Sequence, residues 1–163
     1  MNPLDVLKNA ILMERRGKAF YEQVAADTKI AAVSNIFTFM AKEEQTHIEQ
    51  LSEQYLHFKQ HNTFLVKEFP SEDLGFVEKI MTRDIKKQIN AAGFEAAAIS
   101  AAIDFETKAI EVYTQSALEA TDPAQRSIFF WLAEWEKGHH KILNQLNEEL
   151  KEEIWYDNNF WPF

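Results

Sequence analysis

The sequence predicts an all-α protein, a four-helix bundle made from one helix pair written twice and joined by a long crossover. Three observations predict it. Only four glycines and four prolines interrupt 163 residues, and the stretches between them are rich in Ala, Glu, Lys, Gln and Leu, which cost a helix least. Apolar residues recur at helical spacing in four separate stretches. Residues 10–51 also align with residues 102–143 without a gap at an offset of 92, and 13 of those 42 positions are identical.

The first helix begins near Pro3, a residue suited to the first helical position, and carries Leu7, Ile11, position 14, Tyr21 and Val24 on one face before fading near Asp27-Thr28. The second runs from about Ala32 to about His57, its end blurring into Gln60-His61-Asn62, with Val33, Phe37, Met40, positions 44 and 47, Leu51, Tyr55 and Phe58 in phase. Residues 62–90 read as the crossover, with a partial amphipathic helix around Phe76, Ile80 and Ile85. A third helix starts between Ala92 and Phe94, carries Ile99, Ile103, position 106, Ile110 and Tyr113, and ends near Ala120. Thr121-Asp122-Pro123 is a stop and a restart, and a fourth helix continues through Leu132, Leu143, Leu146 and Leu150. The expected division is a bundle over 1–150 and an aromatic tail over 151–163. Two short-loop pairs joined by one long connection fit a crossover bundle, and two repeats are too few for a solenoid.

Composition narrows the chemistry. With 26 acidic against 17 basic side chains and a net charge of −9, neither nucleic acid nor an anionic membrane is an expected partner. The absence of cysteine excludes disulfides, thiolate zinc, iron–sulfur clusters and thiol catalysis, so any metal must rest on oxygen and nitrogen. Met1-Asn2-Pro3-Leu4-Asp5 has no basic run leading into an apolar core, and the Ala96–Ile103 stretch is far short of a membrane span; a soluble cytoplasmic protein is expected.

The repeat carries the candidate site. Glu14 and Glu106 coincide, as do Tyr21 and Tyr113, Glu44 and Glu136, and His47 and His139. Each half therefore holds one Glu and, 30 residues later, a Glu-x-x-His. Residues three apart lie roughly 60° apart around a helix, so one ion can meet both side chains. Alone, Glu-x-x-His is a weak signal; two copies in matched register, each with its upstream Glu, are a strong one. All four glutamates fall where the apolar stripes predict Leu or Ile, and buried carboxylates need compensation. Two divalent cations balance four glutamates beside two neutral histidines. The competing reading is a set of separate Glu/His hydrogen-bonded pairs in the bundle interior.

The pattern Ala10-Ile11-x-x-Glu14 with Tyr21, Glu43-Glu44-x-x-His47, Ala102-Ile103-x-x-Glu106 with Tyr113, and Glu136-x-x-His139 resembles the rubrerythrin branch of the ferritin-like di-iron carboxylate proteins, over about residues 4–150. The resemblance implies an up-down-down-up bundle with a buried two-iron centre. It implies that Glu44 and Glu136 bridge the metals, that Glu14 and His47 complete one shell, and that Glu106 and His139 complete the other. Mn shares this ligand set, and Zn can occupy it adventitiously.

Two departures qualify what is carried over. Rubrerythrin has a rubredoxin domain with four iron-binding cysteines, and this chain has none, so an external protein or small reductant would supply electrons. An additional Glu one turn after the Glu106 position is Ala109 here, which leaves a symmetric six-residue site. The implied function is reduction of peroxide or O2, each Fe(II) giving one electron. The alternatives are a ferroxidase or iron-storage protein and a metal-free helical scaffold.

Tyr21 and Tyr113, two turns after Glu14 and Glu106, are placed to hydrogen-bond a ligand carboxylate from outside. Glu43 reads as a surface or spare carboxylate, and His57, His61 and His140 as solvated. The tail Ile154–Phe163 is expected to fold back over its own bundle or to pack on a second subunit, in a homodimer or small homo-oligomer.

Overall fold

The computed structural model describes residues 2–72, 75 and 93–157. Four helices follow in order: α1 (Pro3–Asp27), α2 (Ala31–His61), α3 (Phe94–Glu119) and α4 (Pro123–Asp157). No strand occurs among the described residues. The partial helix expected around Phe76, Ile80 and Ile85, and the tail residues from 158 onward, lie outside the described residues. α4 continues past Leu150 to Asp157, so the first part of the expected tail is helical.

Local chemistry sets the ends. The Asn2 side chain accepts from the Leu4 N–H at 3.0 Å with Pro3 following it, which satisfies one of the free amides of the first turn. Asp122 does the same for α4, accepting from Ala124 at 2.7 Å and Gln125 at 3.3 Å ahead of Pro123. α2 ends at Asn62, whose φ of 58° is left-handed and whose N–H donates to the Phe58 carbonyl. No side chain caps the start of α2. There the turn from α1 is held by Ser34 Oγ, which donates to the Ala25 carbonyl at 2.7 Å.

α1 packs along α2 and α3 along α4. Helix directions follow from the contacts between the pairs. Tyr21 meets Glu106 and Tyr113 meets Glu14, so advancing along α1 means retreating along α3. His47 meets Glu136 while Glu44 faces His139, so α2 and α4 are likewise antiparallel. The order is up-down-down-up.

The core divides into two apolar layers. One gathers Tyr21, Val33, Phe37, Ile99 and Leu143; the other gathers Leu7, Leu51, Tyr113, Ile128 and Leu132. Each fully buried Leu or Ile stabilises the bundle by about 1.5–3 kcal/mol relative to exposure. Along every helix the polar buried positions fall between these layers: Glu14, Glu44 with His47, Glu106, and Glu136 with His139.

One buried polar side chain lies outside that layer. Gln54 is fully buried beside Tyr55, the residue expected on the stripe. Its amide donates to the Leu65 carbonyl and accepts from the Leu65 N–H, both at 2.9 Å. This pair of hydrogen bonds turns the chain after α2 back along that helix. Lys67 then donates to Gln50 at 2.6 Å and pairs with Glu53, and Phe69 stacks on Trp131 with centroids 5.0 Å apart. No helix of the described residues is long and apolar enough to cross a membrane.

Candidate metal centre

All six side chains singled out in the repeat converge in one layer, each no more than 1% exposed. His47 Nδ1 lies 3.0 Å from Glu14 Oε2, 3.0 Å from Glu136 Oε1 and 3.6 Å from Glu44 Oε2. His139 Nδ1 lies 3.1 Å from Glu136 Oε2, 3.6 Å from Glu106 Oε1 and 4.0 Å from Glu44 Oε1. Among the described residues three sets emerge in which every residue offers a ligand atom within 4.8 Å of the others: two within the layer, Glu14, Glu44, His47 and Glu136, and Glu44, Glu106, Glu136 and His139, and a third at its edge, Glu43, Glu72 and His139. Glu44 and Glu136 belong to both sets within the layer. Two ions side by side, sharing two carboxylates, would use every residue in the layer.

The tyrosines cross between the pairs. Tyr21 Oη donates to Glu106 Oε1 and Tyr113 Oη donates to Glu14 Oε1, all four groups buried. Each phenol thus holds the carboxylate of the opposite helix pair, not the one two turns before it in its own helix. Burial, reinforced by Glu106 and Glu44, pushes the Tyr21 phenol well above its usual range, so it stays a neutral donor.

The electrostatics match a site built for cations. Burial raises the carboxyl groups of Glu14, Glu44 and Glu106; the charges of Glu14 and Glu136 add to the effect at Glu44, and Glu136 adds to it at Glu106. Glu136 is the exception: burial opposes its ionisation, but His47 and His139 outweigh burial and hold it below the ordinary carboxylate range. Both imidazoles are held well above theirs. Burial works against this, and is overcome at His47 by the charges of Glu136 and Glu14 and at His139 by hydrogen bonding to Glu106 and Glu136. Both oxygens of Glu44 and Oε2 of Glu106 are buried with no hydrogen-bond partner among the described residues. No Lys or Arg among the described residues pairs with these carboxylates. Unpartnered buried carboxylate oxygens are strongly unfavourable without a cation, so the donor set fits divalent metal and does not resemble self-contained Glu/His pairs.

The surroundings of the two histidines differ. His47 is flanked by Trp131 and Trp135, with centroids 5.5 and 5.3 Å away and the ring planes nearly perpendicular to its own. Trp135 Nε1 donates to Glu43 Oε2 at 2.8 Å, which occupies Glu43 outside the six-residue layer; the two are counterparts in the repeat. His139 is approached from outside by Glu72, whose Oε1 stands 3.8 Å from Nε2. Burial lifts the Glu72 carboxyl to about 7; Glu43 and Glu136 reinforce this against the opposing pull of His139 and His47. Sequence reasoning missed Glu72 because the crossover is not repeated and so offers no register in which a carboxylate stands out. His61 is exposed as expected, whereas His57 and His140 are partly buried.

Comparison with protein families gives a match to the rubrerythrin family over residues 5–147, which takes in all six residues and both tyrosines. Comparison with curated proteins and with solved structures gives no significant match.

Proposed function

Because the chain belongs to the rubrerythrin family, a family of di-iron carboxylate proteins, we propose that it is an oxidoreductase that reduces hydrogen peroxide or O2 with electrons from an external donor. The observation that carries this reading is the buried layer in which Glu44 and Glu136 serve two overlapping four-residue sets. Glu14 and His47 would hold one iron, Glu106 and His139 the other, and Glu44 and Glu136 both, with each histidine binding through the Nδ1 that faces the carboxylates. Iron bound there would supply two electrons to peroxide, which with two protons becomes two waters.

The chain's own groups prepare that chemistry. The Tyr21 and Tyr113 hydroxyls orient Glu106 and Glu14, fixing which oxygen of each faces the centre. Trp131 and Trp135 keep water from the outer edge of His47. Burial makes Glu44 and Glu106 hold protons more readily than free carboxyls, so protons compete with metal for them. These 163 residues contain no cysteine, so electrons would reach the centre from a donor outside them, a protein or a small reductant.

The test is anaerobic Fe(II) loading and desalting, followed by iron analysis and an absorption spectrum before and after one equivalent of H2O2. Two irons per chain and a near-ultraviolet ferric band that grows with peroxide, both missing in Glu44→Ala, are expected. Equal uptake in the wild type and the variant would refute the reading, and iron accumulating far beyond two per chain would replace it with storage.

A further inference from the structure

The two Glu-x-x-His motifs differ at their third position, where Thr46 in α2 corresponds to Gly138 in α4. A Cβ at position 138 would stand 2.5 Å from Glu72 Oε2 and 2.6 Å from Oε1, far inside contact distance for carbon and oxygen. The Glu72 carboxylate therefore rests on bare helix backbone, in space that only glycine leaves. From that seat its Oε1 faces His139 Nε2 at 3.8 Å. Both atoms are buried and neither has a hydrogen-bond partner among the described residues.

Glu72 is also delivered there by fixed points. Gln54 clamps Leu65, Phe69 stacks on Trp131, and Trp131 Nε1 donates to the Pro70 carbonyl at 2.9 Å. His47 has no such neighbour: among the described residues its Nε2 is buried without a partner, and its ring is flanked by the two tryptophans.

We propose that Glu72 is a positioning residue for His139, accepting the Nε2–H while Nδ1 gives its lone pair to a metal. A closing of about 0.8 Å would bring the pair to ordinary hydrogen-bond length. The contact selects the tautomer that leaves Nδ1 free and makes the imidazole a stronger donor. The centre is thus asymmetric despite its duplicated ligands, and the position on His139 holds metal more tightly than the one on His47. This rests on the metal-site reading above.

The test is anaerobic Co(II) binding to the full chain in competition with a chromophoric chelator, which resolves two stepwise constants, together with the paramagnetically shifted imidazole N–H resonances of the loaded protein. Two unequal sites are expected in the wild type, with one N–H protected from solvent exchange. Glu72→Ala and Gly138→Ala should each weaken the tighter site about 10–100-fold, leave the weaker one unchanged and abolish the protection. Glu72→Gln, whose amide oxygen still accepts, should recover part of the loss. Glu72 lies outside every helix and Gly138→Ala favours helix, so both variants retain the bundle. Unchanged constants, or equal weakening of both sites, would overturn the proposal. So would a third Co(II) equivalent lost in Glu72→Ala, which would give Glu43, Glu72 and His139 an ion of their own. If Glu44→Ala binds as much Co(II) as the wild type, the metal centre itself is refuted and the role of Glu72 with it.

Discussion

The α1–α2 and α3–α4 pairs carry the same four functional residues in the same register, yet they set them in different surroundings. In the first pair His47 stands against two indole rings; in the second His139 stands against a carboxylate from the connecting segment. Position 43 is Glu and its counterpart 135 is Trp, and the two hydrogen-bond each other across the bundle. The six residues of the buried layer and the two tyrosines that bond its carboxylates are held to the repeat, whereas the residues around the two histidines have diverged. Duplication therefore accounts for the donor set, and divergence accounts for what distinguishes the surroundings of the two histidines.

The sharpest way to break this comparison is to remove a shared ligand and an unshared one. Glu44 belongs to both four-residue sets and Glu14 to one, so Glu44→Ala should lower metal content from two ions per chain to none and Glu14→Ala from two to one, as read by elemental analysis of the loaded protein. Equal losses would show that the halves do not bind independently.

A smaller effect sharpens the symmetry. Tyr21→Phe and Tyr113→Phe each leave a buried carboxyl oxygen without its donor, at a cost of about 1–3 kcal/mol. If the crossed pairs are equivalent, denaturant unfolding of the two variants should agree within about 0.5 kcal/mol. A larger gap would place the asymmetry inside the ligand layer as well as around it.

The smallest effect per step is that of pH. Glu44 and Glu106 are raised, so in the metal-free protein they hold protons more readily than free carboxyls, and metal must compete with those protons. Apparent metal affinity should fall as pH falls, about tenfold per unit for each proton displaced. Stability of the metal-free chain runs the other way. Groups of the layer whose folded values exceed their unfolded ones, these two glutamates with Glu14 and both histidines, contribute fully below the unfolded value and lose that contribution as pH rises through the folded one. Glu136, held low, is lost only in acid. Thermal melts should therefore show the metal-free protein weakening from neutral toward alkaline pH and bound metal offsetting that loss.

Much of this was legible in the sequence, for reasons that particular residues make plain. Asn2-Pro3 and Asp122-Pro123 announce helix starts because capping oxygens and a fixed φ are local properties. The ligand layer shows because a charged residue in an apolar phase is conspicuous, and twice in register more so. What did not show depends on contacts between distant segments. Gln54 reads as a surface glutamine next to Tyr55 until Leu65 is folded onto it. Glu72 reads as one acid among many in the crossover. The tyrosines were legible as partners of ligand carboxylates, but the choice between their own pair and the opposite one is made only by the antiparallel packing of α1 on α3.

Those crossed tyrosine–glutamate bonds have a consequence for how such a protein can change. A helix pair bearing Glu14, Tyr21, Glu44 and His47 cannot complete its own centre, but two copies complete each other, because each supplies the phenol that the other's carboxylate lacks. Joining the copies in one chain replaces a bimolecular encounter with closure at the high effective concentration a tether provides. It also removes a restriction. Two identical subunits must repeat every substitution on both sides, whereas a tandem chain can place a glycine at 138 and keep a threonine at 46, so that one half of a symmetric assembly acquires a feature the other lacks.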